Sequence, residues 1–68
     1  MVCLATVYVD KNGAKEEVMR DVGWIKPEGG SLRLIGFMGE SRLVQATIKD
    51  INLMSSTVIL EEGTSNSE

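Results

Sequence analysis

The sequence predicts an all-β fold, a small and partly open barrel of the SH3 or Sm-like kind with five to seven short antiparallel strands. Turn residues recur about every ten positions, and the segments between them alternate apolar and polar residues. The chain has 68 residues and 43% apolar composition, which allows one domain. We therefore expect a β-barrel domain over residues 1–61 and a disordered tail over residues 62–68.

The first half of the chain predicts three strands. The first strand is expected at residues 3–9, and Asn12-Gly13 then favours a tight hairpin because both residues tolerate positive φ. Residues 14–22 contain good helix formers, but the hairpin before them favours a strand over a helix. A short strand over residues 22–26 follows. Alternate residues of the first strand are expected to share the core face: Cys3, Ala5, Val7 and Val9.

The second half predicts two or three more strands. A turn at residues 27–30 precedes a strand at residues 31–37. Residues 41–51 alternate as a strand does, although their apolar residues also fit helical spacing. A turn at residues 52–56 leads to the last strand, at residues 57–61. The residues expected to face inward are Leu32, Leu34, Val44, Ala46 and Ile48.

The net negative charge of the chain comes from acidic residues near its end. Residues 1–60 carry seven cations and seven anions, so the net charge of −3 comes from the last three acidic residues, Glu61, Glu62 and Glu68. A nucleic-acid binder needs clustered Lys and Arg to neutralise phosphates, and the neutral body argues against nucleic acid as a partner. No apolar segment is long enough to span a membrane, and the first residues lack the basic start of a secretory signal. We therefore expect a cytoplasmic protein.

The composition also excludes several kinds of chemistry. Histidine is absent and there is one cysteine. Without histidine, a hydrolytic Ser-His-Asp triad or a His-based zinc site is excluded. A single cysteine forms neither an internal disulfide nor a paired-cysteine metal site. We do not expect an enzyme.

Cys3 has two interpretations. In the first it is a small core residue of the first strand, as free cysteines often are. In the second its thiolate chelates a metal together with the N-terminal nitrogens. If Met1 is removed, the Val2 amine, the Cys3 amide and the Cys3 sulfur form two fused five-membered rings, and if Met1 stays, one further amide completes four donors. Such planar nitrogen and sulfur donors suit Ni(II) or Cu(II).

Two other pairs of residues have a structural and a functional interpretation. Glu16 and Glu17 are adjacent in a predicted strand and point to opposite faces, so we expect solvated carboxylates and no catalytic pair. Trp24 and Phe37 have the chemistry to stack on bases in an RNA-binding module. A single tryptophan in a small domain more often anchors a core or an interface.

The pattern of strands resembles that of the CooT family. The resemblance rests on the segment CLATVYV at residues 3–9, an acidic-Lys turn at residues 10–13, Asp-Val at residues 21–22, and VILEE at residues 58–62. It covers residues 1–62 in length and strand spacing, and its most specific part is the start of the chain. CooT proteins are small proteins associated with carbon monoxide dehydrogenase maturation, and they are also labelled RNA-binding proteins.

The resemblance implies a function and a ligand set. In the family a cysteine directly after the initiator methionine binds nickel in a homodimer of small β-barrels. The matching residue is Cys3, although Val2 here separates it from Met1. The implied protein is a homodimer that binds Ni(II) through Cys3 and the backbone nitrogens of Met1, Val2 and Cys3. It would assist maturation of a nickel enzyme such as carbon monoxide dehydrogenase, with that enzyme or its maturation factors as partners. The alternative is a small RNA-binding Sm- or OB-like module.

Overall fold

The protein is built from strands alone within the part that the structure describes, a computed structural model of residues 4–62. This confirms the predicted all-β fold. The six strands are β1 (Ala5–Lys11), β2 (Ala14–Glu28), β3 (Ser31–Gly36), β4 (Ser41–Val44), β5 (Ala46–Asn52) and β6 (Thr57–Glu62). Since residues 4–62 contain no helix, none of that segment is a helix able to cross a membrane.

The sheet is curled because its two outermost strands are joined by a single residue. The strand order is β4-β3-β2-β1-β6-β5, which places β4 and β5 at opposite edges. In a flat sheet five intervals of about 4.8 Å would separate these edges by roughly 24 Å. Gln45 is the only residue between them, and two Cα steps span at most about 7 Å. The edges therefore meet at Gln45, and the sheet forms a half-barrel. The predicted strand at residues 41–51 is broken there.

One strand pair is parallel, which the prediction of antiparallel strands did not include. β1 pairs with β6 in parallel, with Thr6 opposite Thr57 and Asp10 opposite Glu61. The reason lies in the chain path. After the crossing at Gln45, β5 runs toward the end of the sheet where β1 begins, so β6 starts at that same end.

The long strand β2 replaces the two short strands predicted over residues 14–22 and 22–26. Its first half pairs with β1 and its second half with β3. The helical alternative for residues 14–22 is wrong because these residues hydrogen-bond to β1. The register shifts beside Val22, and Asp21 next to it has a positive φ of 54°. Such irregularities bend a strand, so the single strand β2 pairs with β1 in one half of the barrel and with β3 in the other.

The core is small and lies on the concave side of the sheet. Its buried hydrophobic residues are Val7, Val9, Val22, Leu32, Leu34, Ala46, Val58 and Leu60. The predicted inward positions are confirmed for Leu32, Leu34 and Ala46. Ile48 lies opposite the buried Leu60 and so on the core side, but it is 44% exposed because β5 is an edge strand with no neighbour beyond it.

The last strand extends one residue beyond its predicted end. Glu62 belongs to β6, where it lies opposite Ala46. The predicted tail at residues 62–68 otherwise lies outside the residues that the structure describes.

Replacement of Leu34 by alanine is expected to destabilise the fold strongly. Leu34 is fully buried, and a buried Leu→Ala change costs about 2–5 kcal/mol because it removes apolar contacts and leaves a cavity. The matched control is Leu53→Ala, at a leucine that is 85% exposed, which should change the free energy of unfolding by about 0.5 kcal/mol or less. Urea unfolding followed by circular dichroism measures both. Equal losses in the two variants would contradict the described core.

Candidate functional site

The residues expected to bind metal adjoin the start of β1. Met1, Val2 and Cys3 lie outside the described residues. Leu4 is the first residue that the structure describes, and its side chain lies over Gly23 of β2. A Cβ built on Gly23 would be 3.5 Å from the Leu4 Cδ2 atom, which is ordinary van der Waals contact. The chain thus reaches Leu4 in contact with the middle of β2.

The start of β1 is held on both sides. Ala5 lies opposite Val22 in β2. On the other side the Thr6 amide donates a hydrogen bond of 2.9 Å to the Ser56 carbonyl oxygen, next to β6. Because β1 is an inner strand of the sheet, its first residues have less freedom than those of an edge strand. Whatever precedes Leu4 therefore begins from a fixed position.

The turn between β5 and β6 lies beside this position and is apolar at its tip. The Asn52 side-chain oxygen accepts hydrogen bonds from the Met54 amide at 3.0 Å and the Ser55 amide at 3.2 Å, which fixes the turn. Leu53 is 85% and Met54 is 97% exposed. The end of the barrel where β1 begins therefore includes a rigid turn with exposed apolar side chains.

A second exposed surface lies on the convex side of β2, β3 and β4. Trp24 lies beside Ile35, and Lys26 lies beside Arg33, which in turn lies beside Leu43. The Lys26 ammonium is 4.9 Å from the centre of the Trp24 ring, a cation–π contact. We call this surface the Trp24 face and define it by Trp24, Lys26, Arg33, Ile35 and Leu43. Trp24 is 58% exposed, so its predicted role as a core anchor is wrong and an interface role stays open.

A cavity of about 460 Å³ lies at the opposite end of β1. Val9 and Leu60 form part of its apolar wall, and charged side chains lie at its rim. Lys11 stands between two of the rim carboxylates, 3.6 Å from Glu16 and 3.8 Å from Glu62. The Arg42 guanidinium donates to the Val18 carbonyl oxygen at 3.0 Å. This cavity therefore combines an apolar wall with a largely compensated set of charges.

Glu16 and Glu17 are separated as expected. The Glu16 carboxylate lies near Lys11, whereas the Glu17 carboxylate accepts a hydrogen bond of 2.9 Å from Arg20. The two carboxylates thus have different cations as partners and do not act as a pair. Among residues 4–62, no group of three or more Cys, His, Asp or Glu side chains is arranged to hold a metal ion.

Two ion pairs shift the pKa values of the side chains that form them. Lys49 of β5 donates to Asp10 of β1 at 2.6 Å, and this hydrogen bond lowers the pKa of Asp10 and raises the pKa of Lys49. Arg33 donates to Glu28 at 2.9 Å, which lowers the pKa of Glu28 and raises that of Arg33. The Arg33–Glu28 pair is solvent-accessible and fixes side-chain positions more than it stabilises the fold. In the other pair the Lys49 side chain is 47% exposed but that of Asp10 only 12%, so this pair is better shielded from solvent.

Three exposed apolar residues were not predicted from the sequence: Leu43, Leu53 and Met54. Leu43 lies in a segment where apolar and polar residues alternate. The alternation predicts which side of the sheet Leu43 faces, but not which residues of other strands lie beside it. The turn at residues 52–56 offered one usable signal, since Leu and Met at the tip of a tight turn have little core to pack against. That signal would have identified an exposed apolar surface and not a chemical function.

Within residues 4–62, six strands curled around one small core define a small all-β half-barrel protein. The family model described as CO dehydrogenase accessory protein CooT matches residues 2–61. That match spans most of the chain, and the protein belongs to the CooT family. It is therefore an accessory protein of CO dehydrogenase and not itself an enzyme.

The comparison with solved structures agrees with the fold. A crystal structure of a candidate CooT from Carboxydothermus hydrogenoformans is similar to this chain with a TM-score of 0.85 and 22% sequence identity. The similarity covers 91% of this chain and 100% of that one. At this identity the comparison supports the half-barrel architecture alone. No curated protein sequence matches this chain.

Replacement of Asp10 by asparagine should reduce the pH dependence of stability. Because the pKa of Asp10 is lowered in the fold, its contribution is present above the ordinary carboxyl pKa of 3.8 and is lost as pH falls through the lowered pKa. The raised pKa of Lys49 means that its contribution is present below 10.5 and is lost as pH rises through the raised pKa. The asparagine side chain can still accept the hydrogen bond that the Gly13 amide donates to Asp10 at 2.9 Å, so the change removes the charge and the hydrogen bond from Lys49 but keeps the hydrogen bond of the turn.

The stability difference between the natural protein and Asp10→Asn should therefore be largest near neutral pH and shrink at both extremes. Urea midpoints measured between pH 2.5 and pH 11 test this. Asp50→Asn is the control, because Asp50 is an exposed carboxylate of β5 that forms no ion pair within residues 4–62. A difference that is the same at pH 3 and pH 7 would mean that the Asp10–Lys49 pair does not act through its charge.

Proposed function

We propose that this protein binds Ni(II) as a homodimer in the cytoplasm and assists maturation of a nickel enzyme such as CO dehydrogenase. The ligands are the Cys3 thiolate and N-terminal backbone nitrogens of Met1, Val2 and Cys3. The accessory role comes from the family to which the chain belongs. CO dehydrogenase is a nickel enzyme, so an accessory protein of that enzyme has a direct use for nickel.

The observation that carries the proposal is the position of the only cysteine. Cys3 immediately precedes Leu4, whose side chain contacts Gly23, and Thr6 is fixed to Ser56. A trans peptide separates neighbouring Cα atoms by about 3.8 Å. The thiol is therefore tethered within one residue of a fixed point on the barrel. This reduces the entropy that the chain loses when it wraps around a metal.

The donor chemistry favours nickel over harder cations. A thiolate and amide or amine nitrogens are strong-field donors, and in a plane they suit a square-planar metal ion such as Ni(II). Oxygen-seeking Mg²⁺ and Ca²⁺ select carboxylates and carbonyls instead.

The charge distribution supports nickel transfer over RNA binding. Of the seven cations, Lys11, Arg20, Arg33 and Lys49 have carboxylates within 4 Å. Cations that are already paired with carboxylates contribute little phosphate neutralisation, which supplies most of non-specific nucleic-acid affinity. The RNA-binding alternative therefore has little of its main source of binding energy, since three cations, Lys15, Lys26 and Arg42, are without a carboxylate within 4 Å among residues 4–62.

A homodimer would compensate for the small core. Ile48 and Ile51 lie on the core side of β5, opposite Leu60 and Val58, but they are 44% and 53% exposed. A chain of this size buries only about 60% of the surface that it exposes when unfolded. A second copy placed against the open edge at β5 would cover these two side chains and extend the core.

Replacement of Cys3 by serine should abolish nickel binding and leave the fold intact, because serine keeps the size of the side chain but is a poor ligand for Ni(II). Native mass spectrometry with added NiCl₂ above pH 7 reports the bound metal, the dimer mass and the processing of Met1 together. The natural protein should show a dimer with nickel, and Cys3→Ser a dimer without it.

A matched control tests the other end of the barrel. Glu16→Gln combined with Glu62→Gln removes the two carboxylates beside Lys11 at the cavity and should leave nickel binding unchanged. Full nickel binding in Cys3→Ser, or its loss in the control, would place the nickel site elsewhere. A monomer at tens of micromolar protein would exclude the proposed dimer.

Acetylation of the N-terminal amine should weaken nickel binding more than tenfold, because it removes one nitrogen donor without altering residues of the barrel. Binding also releases protons from the thiol, the amine and any participating amide, so the affinity of the unmodified protein should rise steeply with pH. Calorimetric titration of both forms with NiCl₂ between pH 6 and pH 9 measures this. Equal affinities would show that the amine is not a ligand, and a loss of folding on acetylation would show that Cys3 belongs to the core.

A further inference from the structure

The Trp24 face presents exposed apolar side chains on regular strands. It is formed by the convex side of three neighbouring strands, where each residue is placed by the strand register. Ile25 and Leu34 point the opposite way, into or against the core, so their neighbours Trp24, Arg33 and Ile35 must point outward. Trp24 is 58% and Leu43 is 52% exposed. Two large apolar side chains are thus exposed on one regular, hydrogen-bonded surface.

This face is also positively charged on a chain that is acidic overall. It carries Lys26 and Arg33, and Glu28 on the same side of β2 is bonded to Arg33 at 2.9 Å. Lys26 has no carboxylate within 4 Å among residues 4–62 and instead lies over the Trp24 ring. The net charge of the chain is −3. An exposed tryptophan beside an ammonium that has no carboxylate within 4 Å among residues 4–62 therefore favours a partner that offers both an apolar side chain and a carboxylate.

We propose that the Trp24 face docks CO dehydrogenase, through a segment of that enzyme that presents an apolar side chain next to an acidic one. The proposal depends on the accessory role of the family and not on nickel binding. The docking proposal and the nickel-binding proposal can therefore fail independently. Trp and Arg are the side chains most often found to dominate binding energy at interfaces. Here Arg33 is held in place before binding by Glu28 at 2.9 Å and Ser41 at 3.2 Å, and the Trp24 ring has Lys26 over it at 4.9 Å. This reduces the entropy lost on association.

A second copy of this chain is a poor occupant of the same face. A two-fold interface places the same surface patch of each copy against the other. It would bring the net positive charge of this face, which Lys26 and Arg33 give despite Glu28, toward the same net charge of its partner, which is unfavourable. The uncharged side chains Ile48 and Ile51 on β5 carry no such cost. The two exposed apolar regions therefore suit different partners.

Calorimetric titration of purified CO dehydrogenase from the same organism with this protein tests the proposal. The variants Trp24→Ala, Leu43→Ser and Lys26→Glu should each weaken binding by about tenfold or more, and added NaCl should weaken binding by the natural protein. Because Trp24 is the only tryptophan, its fluorescence should also shift when an enzyme fragment lacking tryptophan is bound. All three variants should keep the dimer mass, the nickel stoichiometry and the urea midpoint.

Two matched controls separate this face from the rest of the surface. Leu53→Ala removes an apolar side chain that is 85% exposed at another site, and Lys15→Glu reverses an exposed lysine near the tip of the β1–β2 hairpin. Both should bind the enzyme within about twofold of the natural protein. The proposal is overturned if the controls weaken binding as much as the Trp24-face variants, if Trp24→Ala dissociates the dimer, or if the natural protein does not bind the enzyme.

Discussion

The structure depends on one connection, the single residue Gln45 between the two edge strands β4 and β5. Strands at opposite edges of a six-stranded sheet can be joined by one residue only if the sheet curls until its edges meet. That curvature gives the sheet a concave side, where Val7, Leu34 and Leu60 are fully buried. It also requires one strand that bends through both halves of the barrel, and β2 does so beside Val22. The core is the consequence of closure at Gln45.

Closure of the sheet at Gln45 also determines which surfaces are exposed for binding. The chain returns from Gln45 along β5 and reaches β1 from its starting end, so β1 becomes an inner strand and its first residues are fixed by β2 and by Ser56. The proposed nickel ligands precede this fixed point. The convex side of β2, β3 and β4 stays uncovered and presents Trp24 and Leu43, while the open edge at β5 presents Ile48. Nickel binding, enzyme docking and dimerisation are thus proposed to use three different parts of one curved sheet.

Local features of the fold were predictable from the sequence, and long-range ones were not. Asn12-Gly13 predicts its hairpin because positive φ is a property of the two residues themselves, and Asn12 and Gly13 have φ values of 53° and 87°. Alternation likewise predicts the burial of Leu32 and Leu34. The parallel pairing of β1 with β6 depends on where the chain returns after Gln45, which no local pattern contains. The proposed nickel ligand was identified from the chemistry of Cys3 and a family resemblance. The Trp24 face could be identified only from the register of three strands in the structure.

X-ray absorption at the nickel edge of the loaded natural protein reports the identity and geometry of the donor atoms at the metal. We expect a square-planar spectrum with at least one sulfur neighbour and the remaining neighbours nitrogen. The nitrogens are not imidazoles, since the chain contains no histidine, and loss of the sulfur neighbour in Cys3→Ser would assign it to the thiolate and not to one of the four methionines. A six-coordinate spectrum with oxygen neighbours and no sulfur would contradict the account, because nickel would then be bound by carboxylates or water and not by the segment that precedes β1.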